Sequence, residues 1–239
     1  MILKILVLVA SIGQVIAAGY LSIGTFEQSE RILPVFIQPA GWAFSIWGLI
    51  YTLSIIYGIY QIIPKYDNKI LRQTRMPALL GFTGSVVWLY FAGMSNWTVW
   101  LTILVLFFMA VVLTKVVTAS EGKSTWQNRF SKYLLLPYAA WAGIASWVNV
   151  QALLIEREVV TTENVNIGTN LALFIGLALF TMHYYKKSGY SIWYGGVMVW
   201  ASIAIVVVNV QEGSMLFAIL AGAYALTTFG LCFTKAANT

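Results

Sequence analysis

Apolar positions in this chain come in long unbroken stretches, separated by short polar segments. Eight stretches stand out, near 5–24, 40–63, 77–94, 97–114, 133–155, 166–185, 190–210 and 214–234. A bilayer core needs about 20 mostly apolar residues per helix, so each stretch predicts a transmembrane helix. Barrel strands would instead alternate polar and apolar side chains over about ten residues. Only Met94-Ser95-Asn96 separates the third run from the fourth, which predicts a tight helical hairpin. The expected fold is all-α, a polytopic membrane protein of about eight spans.

Composition agrees with this pattern. Of 239 residues, 60% are hydrophobic and 9% charged, where a soluble domain carries roughly 25% charged residues. Too few ionised groups exist to cover a soluble globule, and the high hydrophobicity excludes a disordered chain. The net charge of +6 does not point to nucleic acid. That partner requires basic residues clustered on one solvent-facing surface, whereas here they punctuate apolar runs. Cys232 stands alone, so neither a disulfide framework nor a thiolate metal cluster can be built.

The placement of charge predicts orientation. Lys4, Lys65, Lys69, Arg72, Arg75, Lys115, Lys123, Arg129, Lys132, Lys186, Lys187 and Lys235 fall on one side if there are eight spans. Arg31 and Arg157 are the basic residues of the other side. The positive-inside rule then places both termini in the cytoplasm, as in a bacterial-type plasma membrane. The acids mirror this, with Glu27, Glu30, Glu156, Glu158, Glu163 and Glu212 outside and Asp67 and Glu121 inside. Residues 1–18 have a lone Lys4, an apolar core and Ala17-Ala18, features also found in signal peptides. The long apolar run and the membrane segment after it favour a retained first helix.

All charged residues are expected in loops or within a turn of a helix end. A charge at mid-depth would be the default sign of proton relay or ion coupling, and none is expected. His183 is the single histidine and falls at the cytoplasmic end of the sixth span, where an interfacial role is expected. No nucleophile-and-base or zinc arrangement occurs in the spans, so an enzyme is not expected.

Trp97, Trp100 and Trp126 fit the aromatic belt of a membrane interface. Two spans differ. In the second, Phe44, Trp47, Tyr51, Ser54 and Gly58 recur at spacings of three and four, a stripe down one helix face. In the fifth, Pro137, Trp141, Ile144 and Val148 form another, with Asn149 about 80° around from Trp141 at 100° per residue. The opposite face carries Ala139, Ala142, Gly143 and Ser146, small enough for a neighbouring helix to approach closely. Such stripes are usually packing. Two of them, each with a polar group, make a candidate apolar ligand pocket.

The stretch Gln38-Pro39-Ala40-Gly41-Trp42-Ala43-Phe44-Ser45-Ile46-Trp47-Gly48-Leu49-Ile50-Tyr51 resembles the proline–tryptophan segment of the tryptophan-rich sensory protein/translocator protein (TspO/MBR) family. Leu136-Pro137-Tyr138-Ala139-Ala140-Trp141, followed by Asn149, resembles that family's fifth helix. The resemblance covers residues 1–157 and implies a five-helix bundle that binds porphyrins, haem included, or other flat apolar molecules, and that commonly forms a homodimer. By position it implies a ligand site of Trp42, Phe44, Trp47, Tyr51, Trp88, Tyr138, Trp141 and Asn149. It implies no required cofactor and no metal.

The chain also departs from the family pattern. Trp42 and Trp47 are five apart rather than six, Ser85-Val86-Val87-Trp88 keeps one tryptophan of an Asn-Trp-x-Trp pattern, and the sterol-associated pattern after Asn149 is missing. Sterol binding is therefore not carried over. Residues 158–239 form a separate segment of three further spans. There Trp200 and Asn209-Val-Gln211 echo Trp141 and Asn149-Val-Gln151, and Ser191-Ile192-Trp193 echoes Ser45-Ile46-Trp47.

A sensor or carrier for a small apolar or tetrapyrrole-type ligand is the leading expectation, with the bilayer and that ligand as partners. The alternative is a transporter of a neutral or zwitterionic solute along Asn149, Gln151, Asn209 and Gln211.

Overall fold

The computed structural model describes residues 1–21, 36–94, 98–118, 126–159 and 167–236. Within these residues eight α-helices follow in order: α1 (Ile2–Leu21), α2 (Ile46–Tyr60), α3 (Lys69–Ala92), α4 (Val99–Thr118), α5 (Trp126–Glu156), α6 (Ile167–Lys187), α7 (Ile192–Gln211) and α8 (Met215–Ala236). A 3-10 turn, Gly41–Ser45, leads into α2. No strand occurs among the described residues. The expected all-helical membrane architecture is thus the observed one.

Among the described residues, six helical segments are long and apolar enough to cross a bilayer: α1, Gly41–Tyr60, Arg129–Glu156, α6, α7 and Met215–Lys235. Basic residues in its first two turns make α3 less apolar, and the apolar stretch of α4 is the shorter Val99–Lys115. Large apolar side chains such as Leu179, Ile219 and Leu226 point outward, each about two-thirds or more exposed. A helix bundle with an apolar exterior suits a lipid solvent, because the backbone polar groups inside each helix are paired along it.

The first five helices close a ring, with contacts from α1 to α2, α2 to α5, α5 to α4, α4 to α3 and α3 back to α1. Small residues set the close approaches. A Cβ on Gly81 would meet Leu113 at 2.6 Å, and one on Gly84 would meet Met109 at 2.7 Å, so α3 and α4 pack tightly as a hairpin. The small face of α5 receives α6 and α4, with Phe180 and Ala110 against Gly143. Outside the ring, α7 packs on α5 and on the 3-10 turn, α8 packs on α7, and α6 packs on α5. One buried apolar cluster runs from Val7 in α1 to Cys232 in α8. The turn between α7 and α8 uses Gly213 at φ +74°, which lets Ser214 N–H reach back to the Asn209 carbonyl at 2.7 Å.

Two helices begin earlier than the apolar pattern predicts. Asn68 caps α3 by accepting the Leu71 N–H at 2.9 Å, starting that helix two turns before the apolar run. Arg75 therefore lies almost two turns inside α3, and the expectation that every charge sits within one turn of a helix end does not hold there. It is tolerated because protein acceptors and a carboxylate surround it. Its guanidinium donates to Gln61 Oε1 at 3.0 Å, to the Gln61 carbonyl at 3.0 Å and to Asp67 at 2.7 Å. Asp67 also pairs with Lys4 at 3.2 Å and with Arg72 at 3.5 Å. This polar knot ties together the start of α1, the end of α2 and the start of α3. Of the residues used to orient the chain, Glu27, Glu30, Arg31, Glu121, Lys123 and Glu163 lie outside the described residues, as do Ser95, Asn96 and Trp97.

Candidate functional site

Trp47 is the hub of an aromatic cluster inside the ring. It projects from the first turn of α2 and is 7% exposed. Its indole stacks on Trp88 of α3 at 5.1 Å with planes 20° apart. Tyr51, one turn on, lies at 5.5 Å. From α5, Tyr138 and Trp141 present their rings edge-on to Trp47 at 5.8 and 6.4 Å. Phe44, in the 3-10 turn, stands edge-on to Trp141 at 5.5 Å. Edge-to-face and offset-stacked pairs are the arrangements that the ring quadrupole favours.

One flank of this cluster is a cavity of about 300 Å³ between α1, α2 and α3, lined by Phe44, Trp47, Tyr51, Trp88 and Leu89 with Ala18 and Gly41. Four of the expected site residues therefore wall it: Phe44, Trp47, Tyr51 and Trp88. Tyr138 and Trp141 stand behind them, fixing Trp47 from the α5 side. Three nitrogen donors in and around this cluster have no hydrogen-bond partner: Trp88 Nε1, Trp141 Nε1 and Gln14 Nε2. Gln14 is fully buried in α1, and its Oε1 accepts the Tyr138 hydroxyl at 2.9 Å. Gln14 is not among the residues expected at the site, although a lone amide inside an otherwise apolar span is a readable signal.

Two expected residues lie elsewhere. Trp42 is 45% exposed and sits edge-on to Trp200 of α7 at 4.8 Å. Five residues separate it from Trp47, which at about 100–120° per residue turns the two side chains to opposite faces. Asn149 is about 12 Å along α5 from Trp141 at 1.5 Å per residue. There it accepts Thr102 Oγ1 at 2.8 Å and donates to the Ala145 carbonyl at 2.9 Å.

The four amides of the alternative pathway meet different partners. Gln151 donates to Asn170 of α6 at 3.0 Å, Asn209 is buried against Phe36, and Gln211 is exposed at the end of α7. His183 is exposed and lies edge-on to Tyr184 at 5.1 Å. Among the described residues no group of three or more His, Cys, Asp or Glu is placed to hold a metal.

A family model described as TSPO-like protein matches residues 1–234, a span that takes in α6, α7 and α8 as well as the first five helices. No curated protein and no solved structure matches the chain.

Proposed function

The chain belongs to the TSPO-like protein family, and from that premise we infer that it binds a flat, largely apolar ligand of the tetrapyrrole type within the membrane. The role is sensory or carrier, without catalysis. The observation that carries this reading is the Trp47–Trp88 stack walling the cavity between α1, α2 and α3. Indole faces suit a flat conjugated ring, and apolar walls with a few aimed polar groups are the usual make-up of a small-molecule site. The unpartnered N–H of Trp88, a residue of the cavity wall, favours a ligand that carries an acceptor, such as a carboxylate at a ring edge. At about 300 Å³ the cavity takes one edge of such a ring, and its open side leaves room for the remainder.

In this reading both termini are cytoplasmic, residues 1–157 form the ligand-binding bundle, and 158–239 are a helical addition that packs against it. A homodimer is part of the same proposal. Protoporphyrin IX titrated into the purified protein in nanodiscs tests it. Saturable quenching of tryptophan fluorescence is expected, and its absence across a panel of flat tetrapyrroles would overturn the reading. A reporter fused to the C-terminus that is active only in the cytoplasm tests the orientation.

A further inference from the structure

Before α2 the backbone is not α-helical. Residues 36–40 carry no helix and Gly41–Ser45 form the 3-10 turn. This segment runs antiparallel along α7, with Ala43 beside Trp200, Ala40 beside Ala204 and Phe36 beside Asn209. From Trp200 to Asn209 the helix rises about 13–14 Å at 1.5 Å per residue. Since α7 is 20 residues long, the segment reaches from its end to near its middle.

Non-helical backbone at that depth persists only where protein satisfies its polar groups. Helix α7 supplies three hydrogen bonds for this purpose. Trp200 Nε1 donates to the Ala43 carbonyl at 3.1 Å. The Ala40 N–H donates to the Ala204 carbonyl at 3.3 Å. Asn209 Nδ2 donates to the Phe36 carbonyl at 2.9 Å. In addition, Phe36 stacks on Phe217 of α8 at 4.3 Å with planes 9° apart.

The same segment lends Gly41 and Phe44 to the aromatic cavity. The other side of the α2 start is not filled by side chains. Ser45, Ile46 and Leu49 face Trp193, Gly196 and Trp200 across a second cavity of about 480 Å³. With these two cavities on its flanks, the wall is held by its buried side chains Ile37 and Ala43, by the Phe44–Trp141 contact and by the bonds from α7.

We propose that α7 sets the geometry of the aromatic pocket through residues 36–45, with Asn209 and Trp200 as positioning residues. The inference rests on reading that pocket as the ligand site. A shift of α7, or of α8 packed on it, reaches the ligand as a displacement of Gly41 and Phe44.

The test uses the full chain in nanodiscs and the variants Asn209→Leu and Trp200→Phe, which remove the donor and keep an apolar side chain. Gln151→Leu serves as control, because it removes a buried amide from the α5–α6 contact instead. Hydrogen–deuterium exchange of residues 36–45 needs no ligand. It is expected to quicken about tenfold in the first two variants, the scale of one lost hydrogen bond. It stays unchanged in the control. Protoporphyrin IX affinity, read from the porphyrin's own absorbance, is expected to weaken by about the same factor in the first two variants alone.

Unchanged exchange in both α7 variants overturns the proposal, as does an equal rise in the control. Faster exchange with unaltered affinity overturns the positioning role while leaving the pocket. Failure of the unmodified protein to bind any tetrapyrrole overturns the pocket reading, and the exchange measurement then still decides whether α7 holds the segment. Should Asn209→Leu not fold, Trp200→Phe carries the test.

Discussion

The indoles of Trp47 and Trp88 stack at 5.1 Å although they come from different helices and only Trp47 belongs to a readable stripe. Replacing either by alanine removes a wall of the cavity. Protoporphyrin IX affinity is expected to fall tenfold or more in each variant, about 1.4 kcal/mol or more per site. Trp100→Ala, at an exposed position on α4, is expected to leave affinity unchanged. Titration of the three variants side by side checks this.

Tyr138 and Gln14 form a buried polar pair across α5 and α1. Tyr138→Phe leaves the Gln14 carbonyl oxygen unpaired in an apolar interior, so a loss of about 1–3 kcal/mol is expected. The double variant Tyr138→Phe/Gln14→Leu removes both polar partners and is expected to recover most of it. Thermal unfolding in a mild detergent reports the difference.

Asp67 sets the acid limit of the polar knot at the joined ends of α1, α2 and α3. Its hydrogen bond with Arg75, helped by Lys4, lowers its pKa from the ordinary 3.8 to about 2. A depressed carboxylate stabilises the fold above its unfolded value, and that contribution is lost as pH falls through the folded one. The α1–α2–α3 ends are therefore expected to stay joined at pH 5 and to loosen between about pH 4 and 2. Asp67→Asn should loosen them at neutral pH and flatten this acid transition. Hydrogen exchange of α1 peptides across that pH range follows both effects.

Gly81 and Gly48 separate packing from propensity. A Cβ on Gly81 would lie 2.6 to 3.0 Å from three atoms of Leu113, itself fully buried, whereas a Cβ on Gly48 meets nothing within 4 Å. Gly81→Ala is expected to destabilise by about 1–3 kcal/mol through overpacking of the α3–α4 hairpin. Gly48→Ala is expected to be neutral or to gain up to about 1 kcal/mol of helix propensity. Paired melting curves distinguish the two.

Much of the fold is legible in the sequence. Each of the eight apolar runs became a helix, because covering a bilayer core is a demand on about 20 consecutive residues and is written locally. The early starts of α3 and α5 were less visible. Polar first turns look like loop in a hydropathy reading, and at α3 the Asn68 cap and the partners of Arg75 hold the helix there. Part of the candidate site was also readable. Phe44, Trp47 and Tyr51 share a stripe, and they do wall the cavity. Trp42 and Asn149, named through the family resemblance, sit on other contacts, since one residue of spacing or two turns of helix carries a side chain to another neighbour.

The sequence by itself determined the membrane class, the helices and a stripe that walls the pocket, all features set by periodicity within one segment. Tertiary structure alone decided that Gln14 meets Tyr138 and that α7 holds residues 36–45. Those bonds join residues 124, 157 and 173 positions apart. Which faces meet across such distances depends on how whole helices pack, and no local pattern of apolar and polar positions encodes it.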